Sequence, residues 1–161
     1  MTNTIKELAK AISGKPLKAA GKILEAYTGL DWQLHISPVD KKTGYTKKCA
    51  YSDKNLEIFV ITWTPHGESQ VHDHPEKGCI MRVMQGTIIE TTFKCRKNKS
   101  DFVPVKRQTL GVGQIGYLEG KSLLHNIKNT GTVAYSIHIY SPPGFKTTYY
   151  KSCDEFSKSS S

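Results

Sequence analysis

Two histidines separated by one residue, His72 and His74 in Val71-His72-Asp73-His74-Pro75, are the best equipped groups in this chain to do chemistry. On an extended strand, side chains alternate between faces, so residues two apart offer their imidazoles to one point. A third histidine, His125 in Leu124-His125-Asn126, can come from another strand to complete a three-nitrogen face. A first-row metal ion held by three protein nitrogens keeps open positions for small ligands. Taken alone, a His-x-His pair is more often chance than a site, so its surroundings decide.

Such a face needs strands to carry it. Ile5, Leu8, Ala9 and Ile12 follow the i, i+3, i+4, i+7 spacing of an amphipathic helix, which Gly14 and Pro16 break. Leu17, Ala20, Ile23, Leu24 and Tyr27 predict a second amphipathic stretch ending near Gly29. From Tyr45 onward, short β-rich runs alternate with turn residues: Leu56 to Trp63, Cys79 to Met84, Thr87 to Phe93, Gln114 to Leu118, His125 to Lys128 and Val133 to Tyr140. Gly86 supplies the tight turn that a hairpin needs. The pattern predicts a mainly β chain, a sandwich or barrel. It predicts one domain over residues 1–161, with a helical segment at 1–30, the barrel at 45–150 and a disordered Ser-rich tail at 154–161.

Composition narrows the classes. A chain of 161 residues can bury a real core, and 37% hydrophobic with 23% charged residues is ordinary for a globular protein. The net charge of +9 is spread over loops and strand ends, so it reads as a solvated surface, with no nucleic-acid or membrane partner and a monomer expected. Cysteines 49, 79, 95 and 153 contain no Cys-x-x-Cys pair, which argues against a zinc knuckle. No apolar run has the length of a membrane span, and the first residues lack the apolar core of a signal peptide. Free thiols in a reducing cytoplasm are the expectation.

The segment Gly67 to Gly86, with its His-x-His, resembles the first cupin motif, with Cys79 at the position of the usual Glu; Glu119, Gly120, His125 and Asn129 resemble the second. Further strings narrow the likeness. His72-Asp73-His74, Cys79, Gln85-Gly86, Glu90-Thr91 and Ser136-Ile137-His138-Ile139-Tyr140-Ser141-Pro142-Pro143 resemble the cysteine dioxygenases, as do Glu25-Ala26-Tyr27, Trp32, Tyr45-Thr46 and Trp63. The resemblance runs from about Leu24 to about Pro143.

This resemblance implies a jelly-roll-like cupin barrel in which His72, His74 and His125 hold a non-haem Fe(II). It implies a thiol dioxygenase that converts L-cysteine and O2 to cysteine sulfinate. Cys79 and Tyr140 match the pair that forms a thioether cross-link in the animal-type enzymes. His138 is implied to hydrogen-bond Tyr140, with Ser136 as the start of a Ser-His-Tyr relay, while Trp63 shapes the pocket wall. The family places Tyr-x-Arg at the substrate carboxylate; here Tyr45-Thr46-Lys47 puts lysine where arginine is expected. Arginine grips a carboxylate through a bidentate fork and lysine through one mobile charge. Arg82 and Arg107 are substitutes only if the fold brings them near. Two alternatives remain open at this point: a dioxygenase of another small thiol acid such as 3-mercaptopropionate, and a non-catalytic metal-binding cupin.

Overall fold

The computed structural model describes residues 2–159. Among these, two five-stranded antiparallel sheets face each other. One has the order β1-β2-β9-β4-β7, from β1 (Tyr45–Ser52), β2 (Glu57–Trp63), β4 (Cys79–Gln85), β7 (Ile115–Leu118) and β9 (Ala134–Tyr140). The other has the order β10-β3-β8-β5-β6, from β3 (Val71–His72), β5 (Ile88–Cys95), β6 (Phe102–Leu110), β8 (Leu124–Asn129) and β10 (Tyr149–Tyr150). The expected jelly-roll-like β barrel with a helical N-terminal segment is what forms.

The first sheet is covered on both faces, and its side chains sort by parity. Ile58 and Val60 of β2, Ile80 of β4, and Ile137 and Ile139 of β9 point outward into a cluster with Ile5, Leu8, Ile12, Leu24 and Tyr27. Ile61, Trp63, Met81 and Val83 point inward, against Ile88, Leu110 and Ile127 of the second sheet. The period of two along each strand therefore separates a helix-facing core from a barrel interior. It also sends Ser136, His138 and Tyr140 inward, since they alternate with Ile137 and Ile139.

The helical segment begins with α1 (Ile5–Ile12), capped by Thr4 in a reciprocal capping box with Glu7. Asp31 accepts from the Ile5 amide at 2.8 Å and from the Tyr27 hydroxyl. The second amphipathic stretch is not one helix. Pro16 starts a one-turn 3-10 helix at Leu17–Ala19, and α2 (Gly21–Glu25) follows after a break. Leu17, Ala20, Leu24 and Tyr27 are buried nonetheless, so the apolar spacing marks a buried face rather than a continuous helix.

Three further expectations are corrected. Gly86 makes its turn with φ +83°, but β4 and β5 do not pair; the chain crosses there from one sheet to the other. The tail expected to be disordered at 154–161 is helical as α3 (Cys153–Ser159), and Ser160 and Ser161 lie outside the described residues. Cys153 anchors that helix through a disulfide to Cys95, with a Cα–Cα distance of 5.4 Å. Tyr150 packs edge-on against Phe156 at 5.3 Å. The disulfide also corrects the expectation of four free thiols: Cys49 and Cys79 alone are free, and a reducing compartment no longer follows from cysteine usage. Strands β1 and β6 escaped the periodicity. Both are edge strands with many exposed residues, and Pro104 of β6 sits at a bulge, where a missing N–H is tolerated.

A Cβ at Gly86 would meet the Ala134 Cβ at 2.8 Å, in a left-handed backbone. Gly86→Ala is therefore expected to cost about 2–4 kcal/mol from strain and overpacking together. Urea unfolding of the purified variant measures this, and an unchanged midpoint would show that the crossing at Gly86 is not so tight.

Candidate metal and substrate site

The interior of the barrel carries a set of polar side chains that burial forces into partnership. His72 ends β3 and is the direct register partner of His125 on β8. His74 lies two residues on, beyond the strand, so its direction is set by the following turn rather than by strand alternation. The ring centroids of His72 and His125 are 4.4 Å apart, and those of His74 and His125 are 6.0 Å apart. The fold thus brings the three predicted histidines together. Among the described residues, no three ligand side chains are already closed around an ion position.

Each of the three rings is oriented from behind. His72 Nδ1–H donates to the Gln70 carbonyl at 2.8 Å, and His74 Nδ1–H donates to the Pro75 carbonyl at 3.0 Å. His125 Nδ1–H donates to the Glu90 carboxylate at 2.9 Å. Glu90 also accepts from Gln108 Nε2 at 2.7 Å. The opposite nitrogens, Nε2 of His74 and Nε2 of His125, are buried without a hydrogen-bond partner; the Leu123 carbonyl faces the His74 ring without hydrogen-bond geometry to Nε2. Carbonyl or carboxylate partners on one ring nitrogen, leaving the other free, are the usual outer support of a metal-binding histidine. This donor set fits a first-row divalent ion.

Charge is arranged accordingly. Burial, followed by electrostatic interaction with the neighbouring His125 ring, holds the His72 and His74 imidazoles below the ordinary histidine range. Burial raises the Glu90 carboxyl, but its bond to His125 and the His125 and Gln108 contacts outweigh this, so its pKa is net lowered. Glu90 is the residue whose role the sequence reading missed. The string Glu90-Thr91 was visible, but nothing in it shows that a carboxylate stands behind an imidazole 35 residues away.

A second chain of hydrogen bonds runs along the inward face of β9. Trp63 Nε1–H donates to Ser136 Oγ at 3.0 Å. Ser136 is 2.8 Å from His138 Nε2, and His138 Nδ1 is 3.4 Å from the Tyr140 hydroxyl. Burial holds the His138 imidazole well below its ordinary range, so the ring is neutral. Ser136 Oγ thus accepts from Trp63 and shares a second hydrogen bond with His138 Nε2, whose direction follows the histidine tautomer. The Tyr140 hydroxyl is in reach of the Cys79 sulfur as well as of His138 Nδ1. Cys79 is the register partner of Tyr140 across β4 and β9, and its thiol is 3.9 Å from His138 Nδ1. Burial raises the pKa of both the Cys79 thiol and the Tyr140 phenol, so both carry their protons.

Tyr45, Lys47, Trp63, His72, His138 and Tyr140 line one small cavity. Lys47 Nζ lies over the rings of Phe59 at 4.1 Å and Tyr140 at 4.5 Å. Among the described residues, no carboxylate forms an ion pair with it. Burial lowers its pKa, against the raising effects of Cys79, Glu57 and Cys49. The arginine substitutes are elsewhere. Arg82 points outward and donates to the carbonyls of Leu24 at 2.9 Å and Tyr27 at 2.6 Å, and Arg107 is exposed on edge strand β6.

A barrel of two antiparallel sheets with imidazoles gathered inside belongs to the cupin class. Solved structures share this fold. Oxalate oxidase in complex with the substrate analogue glycolate superposes with TM-score 0.59 at 15% identity, covering 76% of this chain and 65% of that one. A conserved protein with a double-stranded β-helix domain from Klebsiella pneumoniae superposes with TM-score 0.57 at 15% identity, covering 74% of this chain and 94% of that one.

Within the class, the sequence profile of the family Cysteine dioxygenase type I matches residues 5–159, and the chain belongs to that family. Cysteine dioxygenase type 1 of Rattus norvegicus is 28% identical over 127 residues, covering 75% of this chain and 62% of the relative. The Danio rerio protein of the same name is 30% identical over 105 residues, covering 63% and 49%. The chain thus spans less than two thirds of the length of these relatives. No helix among the described residues is long and apolar enough to cross a membrane.

The buried imidazoles make stability depend on pH. Below the ordinary histidine value of 6.5, the unfolded chain takes up protons that folded His72 and His74 refuse. Stability should therefore fall as pH drops, by up to about 1.4 kcal/mol per pH unit for each such ring. The Glu90 contribution, present above its ordinary value of 4.5, should be lost at still lower pH. Urea midpoints of the chelated protein from pH 7.5 downward check this; a flat profile to pH 5 would mean that the rings are solvated.

Proposed function

We propose that this protein is an Fe(II)-dependent thiol dioxygenase whose substrate is L-cysteine and whose product is cysteine sulfinate. The observation that carries the reading is a pair of unmet needs side by side. Among the described residues, buried Nε2 of His74 and of His125 lack a hydrogen-bond partner, and half-buried Lys47 forms no ion pair. A metal ion answers the first need and a carboxylate the second. Family membership and the names of the relatives support the same chemistry.

In this reading His72, His74 and His125 would hold the iron through three neutral donors. When bound there, Fe(II) would supply coordination for the substrate sulfur and amine and for dioxygen, bringing the reactants together. Three neutral donors, instead of two and a carboxylate, leave the ion more positive and favour an anionic thiolate. Lys47 and Tyr45 receive the substrate carboxylate. Tyr140, oriented by His138 and Ser136, donates its O–H to an oxygen atom in the cavity. Trp63 closes the wall and keeps water from the Ser136–His138 bond. The overall change adds both atoms of O2 to the thiol, RSH + O2 giving RSO2H, with no external reductant. Cys79 and Tyr140 are proposed to form a thioether, losing two hydrogens to dioxygen, which would pin the phenol in place. The lysine at position 47 favours a second reading, in which a thiol acid without an amine, such as 3-mercaptopropionate, is the preferred substrate.

Iron-loaded protein is expected to take up oxygen on addition of L-cysteine and to yield the sulfinate by mass spectrometry. His125→Ala should lose both iron and activity. Oxygen uptake with neither thiol, at full iron occupancy, would sink the dioxygenase reading.

Lys47→Ala removes a charged hydrogen bond worth about 1.5–3 kcal/mol. The KM for L-cysteine should rise about ten- to a hundredfold. Cysteamine, which lacks the carboxylate, should be a poor substrate for both proteins and indifferent to the change. Unaltered kinetics with cysteine would mean that another group binds the carboxylate.

A further inference from the structure

Tyr149 lines the same cavity, although it lies 104 residues from Tyr45 and outside every string that pointed to the site. Its hydroxyl is hydrogen-bonded to the Tyr45 hydroxyl. Tyr149 is the register partner of His72, and their ring centroids are 5.5 Å apart. The strap that carries it is tied down by Asp73, the residue between the paired histidines. Thr148 N–H donates to the Asp73 carboxylate at 2.7 Å, the Tyr150 hydroxyl donates to it at 3.2 Å, and Asp73 N–H donates to the Thr148 carbonyl at 3.2 Å.

Two phenols that share one hydrogen bond have one O–H left between them. Tyr45 is the inner of the two: its ring packs tilted against Trp63 at 5.0 Å, on the strand that carries Lys47. Tyr149 is the outer one, 41% exposed. A hydroxyl that accepts a hydrogen bond becomes a stronger donor. Lysine in place of a bidentate fork leaves one carboxylate oxygen without a donor.

We propose that Tyr149 is a positioning residue for the substrate's anionic group: its O–H donates to the Tyr45 oxygen, which turns the Tyr45 O–H into the cavity, so that Tyr45 and Lys47 together bind one carboxylate. The proposal rests on the thiol-acid reading above. It makes Tyr149, through Tyr45, a determinant of selectivity for carboxylate-bearing thiols over plain aminothiols.

Tyr149→Phe, which removes only the hydroxyl, tests it in the iron-loaded full chain. Anaerobic calorimetry with L-cysteine and with 3-mercaptopropionate should show a Kd raised about three- to tenfold for the better ligand, the worth of one hydrogen bond. The KM should follow the Kd, with kcat for that ligand changed less than twofold and turnover of cysteamine unmoved. The Tyr45→Phe/Tyr149→Phe double variant should bind no more weakly than Tyr45→Phe, because the outer hydroxyl acts only through the inner one. Wild-type affinity in Tyr149→Phe, an equal loss for cysteamine, or additive losses in the double variant would each overturn the proposal while leaving the dioxygenase reading intact. Wild-type protein that binds neither thiol acid would instead overturn both.

Discussion

The bond from His125 Nδ1–H to the Glu90 carboxylate, between two side chains almost wholly removed from water, is the constraint on which the site depends. A charged carboxylate inside a barrel is costly unless it is fully paired. Glu90 meets that demand with His125 on one side and Gln108 on the other. The pairing fixes the His125 ring and leaves Nε2 facing the space shared with His72 and His74. Carbonyls of Gln70 and Pro75 do for the other two rings what Glu90 does for His125. The outer partners, not the histidines alone, determine which nitrogens are available to a metal ion.

The same demand organises the face of β9. Trp63, Ser136, His138 and Tyr140 form one continuous chain because burial leaves their polar atoms only one another and the Cys79 thiol within reach. At the Trp63 end the indole N–H can only donate, so Ser136 accepts there. The chain ends at Tyr140, beside Cys79 and under Lys47. Across the sheet, the odd-numbered neighbours Ile137 and Ile139 pack beneath the N-terminal helices. Arg82 ties those helices to the barrel by donating to carbonyls at and after the end of α2, where a positive group is favoured. Stability and site chemistry thus share strands and divide them by parity.

Lys47 stands apart from this economy of pairs. It sits on aromatic faces, which tolerate a cation without discharging it, and among the described residues it forms no ion pair. Tyr45 and Tyr149 close the cavity beside it through residues brought from opposite ends of the barrel sequence. The disulfide from Cys153 to Cys95 and the ties at Asp73 hold the Tyr149 strap against β3.

Much of this was legible in residue types and spacing. The alternation of Ile137 and Ile139 with Ser136, His138 and Tyr140 marks a strand with two different faces, whatever the fold. The i, i+3, i+4, i+7 pattern of Ile5 to Ile12 marks a helix for the same local reason. The strings around His72, Cys79, His125 and Tyr140 were enough to suggest the family. Local signals failed where long-range partners decide. Edge strands β1 and β6 have too little burial to show a period, and Gly86 joins two sheets instead of a hairpin because pairing partners come from elsewhere in the chain. A Ser-rich end became helix α3 because a disulfide and an aromatic contact hold it. Glu90 behind His125 and Tyr149 against Tyr45 could not be read at all. A sequence states which groups can donate or accept, but only the tertiary structure removes water and so determines which of them must find each other.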